Sequence, residues 1–137
     1  MGGTTVELTE QSFKSVVERD GIVLVDWWAP WCGPCRSFGP TFEKVAARHP
    51  DLVFAKVNTE VEQGLAGAFE IRSIPTLMVL RDRVLLFSQA GALPETALED
   101  LVRRVRAVDM DAVRAQIADE QKKELKQEQK KETPPAP

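Results

Sequence analysis

The sequence predicts one α/β domain followed by a charged extension. Two observations carry this. Short apolar runs rich in Val, Ile and Leu alternate with stretches of helical period, and the composition shifts abruptly after about Val108. The 137 residues are 43% hydrophobic and 28% charged, which suffices for one ordinary buried core.

Thr9 can cap a helix over residues 9–20, in which Phe13, Val16 and Val17 share one face. "IVLVDWW", residues 22–28, is short, apolar and β-branched, and so predicts a central strand. Residues 34–49 form a second helical pattern, with Cys35, Phe38, Phe42, Val45 and His49 aligned. Pro40 inside it removes a donor and crowds the preceding turn, so a kink is expected. "LVFAKVN", 52–58, is another apolar strand, and 61–69 a weak helix interrupted by glycine. "TLMVLR" (76–81) and "VLLFSQA" (84–90) flank a tight Asp82-Arg83 turn and predict a hairpin. Pro94 suits the first position of a last helix, with Leu98, Leu101, Val102 and Val105 on its buried face. With a strand ahead of the first helix, the order becomes β-α-β-α-β-α-β-β-α. Alternation implies parallel strands in a central mixed sheet, flanked by helices on both faces, and the hairpin adds an antiparallel edge. The domain takes residues 1–108 and the extension 109–137. Met110, Val113 and Ile117 extend the helix by two turns. From Asp119 onward only Leu125 is a large apolar residue, so a solvated or disordered tail is expected.

Charge and hydropathy exclude several functions. A net charge of −3 leaves no basic footprint for nucleic acid. No apolar run approaches the roughly 20 residues of a membrane helix. "MGGTTVELTEQ" lacks the basic and apolar regions of a secretory signal, so the expected location is cytoplasmic, where thiols stay reduced.

The only two cysteines, Cys32 and Cys35, lie in "WWAPWCGPCRSF". As metal ligands they fall short of the usual four. The single histidine, His49, reads as a helix-terminal residue before Pro50, and a carboxylate or a second subunit would have to complete the set. As a staple, a bond closing about four residues constrains the unfolded chain by only roughly 2 kcal/mol, against about 4.7 for a 100-residue loop. As a reagent the pair is well placed. A strand ends and a helix begins there, and unpaired N–H groups with partial positive charge at a helix N-terminus stabilise a thiolate. The thiolate is the nucleophile, so Cys32 would react near neutral pH. Pro34 suits a first helical turn, Gly33 tolerates close backbone approach, and Cys35 follows one turn later. Asp26 sits within an apolar strand, where desolvation raises a carboxyl's pKa. It could be a buried acid paired structurally with Lys56.

"WCGPC" after "VDWWAP", with Lys56 in the next strand, "IPT" at 74–76 and Gly91, closely resembles the thioredoxin family from about Val6 to Val105. The resemblance implies a thioredoxin fold and a protein-disulfide reductase that cycles between a Cys32/Cys35 dithiol and an intramolecular disulfide. It assigns Cys32 as attacking thiol and Cys35 as resolving thiol. Asp26 becomes the proton acceptor and donor beneath Cys35, and Lys56 the residue that tunes it. It implies a cis Ile74–Pro75 bond facing the cysteines, where a trans bond at a strand start is the ordinary alternative. It also implies a substrate surface of Trp31, Gly33, Pro34, Ile74, Pro75, Gly91 and Ala92. Trp28 reads as core packing and Arg36 as a helix-surface cation. The Gly33-Pro34 dipeptide resembles that of reducing members. Recharging would come from a separate NADPH-linked, FAD-containing thioredoxin reductase, with no cofactor or metal bound to this chain. The expected partners are that reductase and disulfide-containing proteins, the expected state a monomer. Two rivals are an exported oxidase or isomerase, and a binding or holdase subunit without redox turnover.

Overall fold

The computed structural model describes residues 4–132. The chain runs β1 (Thr5–Glu7), α1 (Glu10–Val17), β2 (Ile22–Trp28), α2 (Gly33–Arg48), β3 (Val53–Asn58), α3 (Gln63–Ala68), β4 (Thr76–Arg81), β5 (Val84–Ala90), α4 (Glu95–Ala107) and α5 (Met110–Glu132). The five strands form one sheet in the order β1-β3-β2-β4-β5. β3 pairs in parallel with both β1 and β2, while β4 is antiparallel to β2 and to β5. The hairpin supplies the antiparallel part, as expected, with β4 inside the sheet and β5 at its edge.

Helices cover both faces. β2 is buried along nearly its whole length, and its alternate residues feed two cores. Ile22 and Leu24 pack with Phe38, Phe42 and Val45 of α2, Phe54 of β3, and Leu98, Val102 and Val105 of α4. Val23, Val25 and Trp27 pack on the opposite face with Leu8, with Phe13 and Val17 of α1, and with Ala55 and Val57 of β3. Burying a side chain of this size stabilises by roughly 1.5–3 kcal/mol, which is why a continuous apolar run such as "IVLV" is found at the centre of the sheet.

Local chemistry sets the boundaries. Thr9 and Ser12 form a reciprocal capping box at α1. Ser12 N donates to Thr9 Oγ1 (3.3 Å) and Thr9 N donates to Ser12 Oγ (2.9 Å). The β4–β5 turn holds Asp82 at φ 51° and Arg83 at φ 71°, the positive values that a two-residue hairpin turn of primed type requires. Asp82 is tied in place because Gly21 N donates to its Oδ1 (2.8 Å) and its own N donates to Gly21 O (2.9 Å). Arg81 Nη1 donates to the carbonyls of Val105 (2.8 Å) and Arg106 (3.2 Å), which satisfies acceptors left over at the end of α4. Pro94 stands one position earlier than expected: its carbonyl accepts from Leu98 N (3.0 Å), and the helix begins at Glu95. α2 is continuous through Pro40.

The chain divides into two compact units at Arg106–Ala107. In the second unit, α5 runs as a helix to Glu132, past the point from which the sequence predicts a solvated or disordered tail. Its start is capped by Asp109, whose Oδ1 accepts from the backbone N of Asp111 (3.1 Å) and Ala112 (3.2 Å). Pairs such as Asp119–Lys123 (3.4 Å, four residues apart) support it, and Ala, Gln, Glu, Lys and Leu are strong helix formers. Low hydrophobicity argued against burial, but it does not argue against a solvent-facing helix. Residues 133–137 of the expected tail lie outside the described residues.

Candidate active site

β2 ends at Trp28, and a four-residue connection, residues 29–32, leads into α2. Cys32 N donates to Ala29 O (3.2 Å), and Thr59, just after β3, braces the strand end by donating its N (2.8 Å) and Oγ1 (3.0 Å) to Trp28 O. Cys32 is the N-cap of α2, with extended backbone at φ −84°, ψ 116°. Its Sγ accepts from Cys35 N (3.2 Å), and its carbonyl accepts from Arg36 N (3.2 Å). The sulfur thus occupies the capping position where backbone N–H groups converge. No acidic residue lies in the first turn to oppose a thiolate there. Pro34, in that turn, forfeits no intrahelical bond.

Cys32 and Cys35 are joined by a disulfide, with their Cα atoms 5.2 Å apart. Across from them the Ile74–Pro75 bond is cis, as the resemblance implies. Ile74 O lies 3.6 Å from Cys32 Sγ. Pro75 O accepts from Gly91 N (2.8 Å), which joins the end of β5 to the same place. Gly91 has φ 106°, a conformation in which any side chain would be strained. Trp31, 65% exposed, stands beside the exposed Gly33 and Pro34, and Gly91 and Ala92 are exposed as well.

Asp26 is fully buried, and neither of its carboxylate oxygens has a hydrogen-bond partner among the described residues. Burial raises its pKa to about 7. Lys56 opposes the rise and Glu7 adds to it. Lys56 is the cross-strand neighbour of Asp26 on β3. Its ammonium lies 4.8 Å from the centre of the Trp28 ring, a cation–π contact. Lys56, Trp28 and Cys35 line a cavity of about 200 Å3 together with Arg36, Gly39, Pro40 and Glu43. The strand register and this cavity bring Asp26, Lys56 and Cys35 into one neighbourhood.

Trp27 fills a core, while Trp28 is half-buried, packs against the buried cysteine cluster, in keeping with the packing role expected of it, and covers Lys56. Arg36 is exposed on α2, as expected, and also lines the cavity. Sequence reasoning missed Glu7, which pairs in register with Lys56 from β1. His49 is the C-cap of α2, where Arg106 Nη2 donates to its Nδ1 (3.0 Å) and its Nε2 lies 3.1 Å from Glu99.

The thioredoxin family profile matches residues 4–104. The chain belongs to the thioredoxin family. A Streptomyces coelicolor protein named as a thioredoxin 2 is 53% identical over 118 residues, covering 86% of this chain and 88% of that protein. That span exceeds the first compact unit, so the likeness runs into the last helix. The thioredoxin of Bacillus subtilis is 40% identical over 100 residues, 72% of this chain and 95% of that one. Among solved structures, a mutant thioredoxin from Halobacterium salinarum has a TM-score of 0.70 at 28% identity, covering 77% of this chain and 93% of its own. The oxidised mitochondrial thioredoxin 3 of Saccharomyces cerevisiae scores 0.67 at 27% identity, covering 75% and 97%. Family membership and the bonded Cys32–Cys35 pair make this chain a thiol-disulfide oxidoreductase acting on protein disulfides. They do not favour the holdase rival. Thioredoxins work in general with thioredoxin reductase and disulfide substrates. Among the described residues, no helix is long and apolar enough to cross a membrane.

Proposed function

We propose that Cys32 is the attacking thiol, Cys35 the resolving thiol and Asp26 the proton acceptor for Cys35. The observation that carries this is the Cys32 sulfur at the N-cap of α2, accepting the Cys35 N–H. In the dithiol form the Cys32 thiolate attacks one sulfur of a target disulfide and expels the other as a thiolate, forming a mixed disulfide. Cys35 then gives its proton toward Asp26 and attacks the Cys32 sulfur. The target's second thiolate leaves, and the Cys32–Cys35 bond closes. Two electrons pass from the dithiol to the target. Lys56 tunes the carboxyl that takes the proton.

The apolar rim of Trp31, Gly33, Pro34, Ile74, Pro75, Gly91 and Ala92 receives an extended segment of the target, with Ile74 offering backbone groups beside the sulfur. The protein works as a cytoplasmic monomer and draws electrons from a flavin-dependent, NADPH-linked thioredoxin reductase. A single-turnover experiment tests the dithiol–disulfide cycle on which these roles rest. The reduced protein, freed of other reductants, is mixed with insulin. One insulin disulfide should break for each protein molecule, and mass spectrometry should find Cys32 joined to Cys35. Insulin reduction without closure of that bond would refute the cycle.

Catalysis is assigned to residues 1–108, with 109–137 as an extension. A chain ending at Ile117 is expected to reduce insulin within about twofold of the full chain, a difference of only roughly 0.4 kcal/mol in barrier. The measurement is the initial rate, with circular dichroism to check the fold. A tenfold loss in a folded truncation would place α5 in the catalytic or docking surface.

A further inference from the structure

Three acidic and basic residues stand in one row across the sheet. Glu7 on β1 is in register with Lys56 on β3, and Lys56 with Asp26 on β2. Paired residues of neighbouring parallel strands point to the same face, with strands about 4.8 Å apart. One lysine therefore stands between two carboxylates. Asp26 is fully buried, whereas Glu7 is exposed on the edge strand. The Lys56 ammonium is drawn over the Trp28 ring and lies near Gly39 of α2, where an added Cβ would be in ordinary contact with Nζ at 3.7 Å. The other groups facing this row are few. α2 contributes Cys35, Arg36 and Glu43 to the adjoining cavity, and β4 places the uncharged Leu77 opposite Asp26.

We propose that Glu7 is a positioning residue for disulfide reduction: it competes with Asp26 for the Lys56 ammonium and thereby sets how readily Asp26 exchanges its proton. The proposal rests on the reading of Asp26 as proton acceptor for Cys35. The electrostatics agree in sign. Burial raises both carboxyls, Lys56 opposes the rise in each, and Glu7 adds to it in Asp26 as a like charge. Glu7 is at the sheet edge, so a substitution there removes a charge without opening a core.

The test uses the full-length protein. The Asp26 carboxyl is titrated by carbon NMR in the oxidised state, in wild type, Glu7→Gln and Glu7→Asp, each also in a Lys56→Met background. Insulin reduction is followed against pH for the same proteins. Glu7→Gln should lower the Asp26 midpoint by about 0.5–1 pH unit, because a like charge is gone and the lysine is left to Asp26 alone. Glu7→Asp should restore most of the wild-type value. With Lys56→Met the Glu7→Gln shift should shrink, and in the Lys56 proteins the acid limb of the rate profile should move down with the midpoint. An unmoved midpoint in Glu7→Gln would overturn the proposal, as would an equal shift with and without Lys56. If the midpoint moves and the rate profile does not, the coupling stands, and the proton-acceptor role of Asp26 is what fails.

Discussion

Cys32→Ser should abolish disulfide reduction, and Cys35→Ser should stop it halfway with the target attached. Both variants are expected to lose turnover by at least about a thousandfold, since each removes a nucleophile the cycle cannot replace. They differ in what accumulates. In Cys35→Ser the capped thiolate at position 32 is intact, so attack proceeds and the mixed disulfide has no resolving thiol. In Cys32→Ser the remaining thiol lies one turn inside α2, is only 4% exposed and lacks the capping position, so little target is captured. Non-reducing electrophoresis after incubation with a disulfide protein reads the outcome directly. If Cys32→Ser were the better trap, the two roles would be reversed.

Asp26→Ala is expected to stabilise the protein at pH 8 and to slow it. The folded-state pKa of about 7 lies well above the ordinary 3.8. Folding therefore favours the protonated acid. The stability this group allows is fully present below about pH 4, declines as pH rises between the two values and is lost above 7. Removing the carboxyl should recover about 2–4 kcal/mol at pH 8, the upper figure being the pKa difference at 1.36 kcal/mol per unit. The gain should fade toward pH 4, where the carboxyl is protonated in the unfolded chain as well as in the folded one. Urea unfolding at pH 4.5 and pH 8 measures both limits. Insulin reduction should fall several-fold between pH 6 and 9, because Cys35 loses its proton acceptor. Equal stability at pH 8 would mean that Asp26 is not desolvated in solution. An unchanged rate across that range would leave Asp26 a structural residue only.

Much of this was legible in the sequence, for physical reasons that also mark where legibility ends. "IVLVDWW" reads as a buried strand because nothing else buries so many β-branched residues in seven positions. A strand buried on both faces carries no polar alternation, however, so the sequence does not say which tryptophan enters which core. Alternation with Asp26 places Trp28 on the carboxylate's face and Trp27 on the other. Cys32 and Cys35 were readable because the pair lies at a strand-to-helix junction, where a helix N-terminus favours a thiolate. Glu7 was not, because its meaning depends on β1 pairing with β3 at one register, a long-range fact absent from "TVEL". The length of the last helix is not legible from its hydrophobicity, because a sequence with little to bury can still gain from local propensity and charge pairs.

The most direct test of the central claim is NADPH oxidation in the presence of a thioredoxin reductase, this protein and insulin. The expected result is sustained consumption that needs all three and stops with Cys32→Ser. A reductase that leaves the Cys32–Cys35 disulfide intact, or consumption that is the same without this protein, would contradict it.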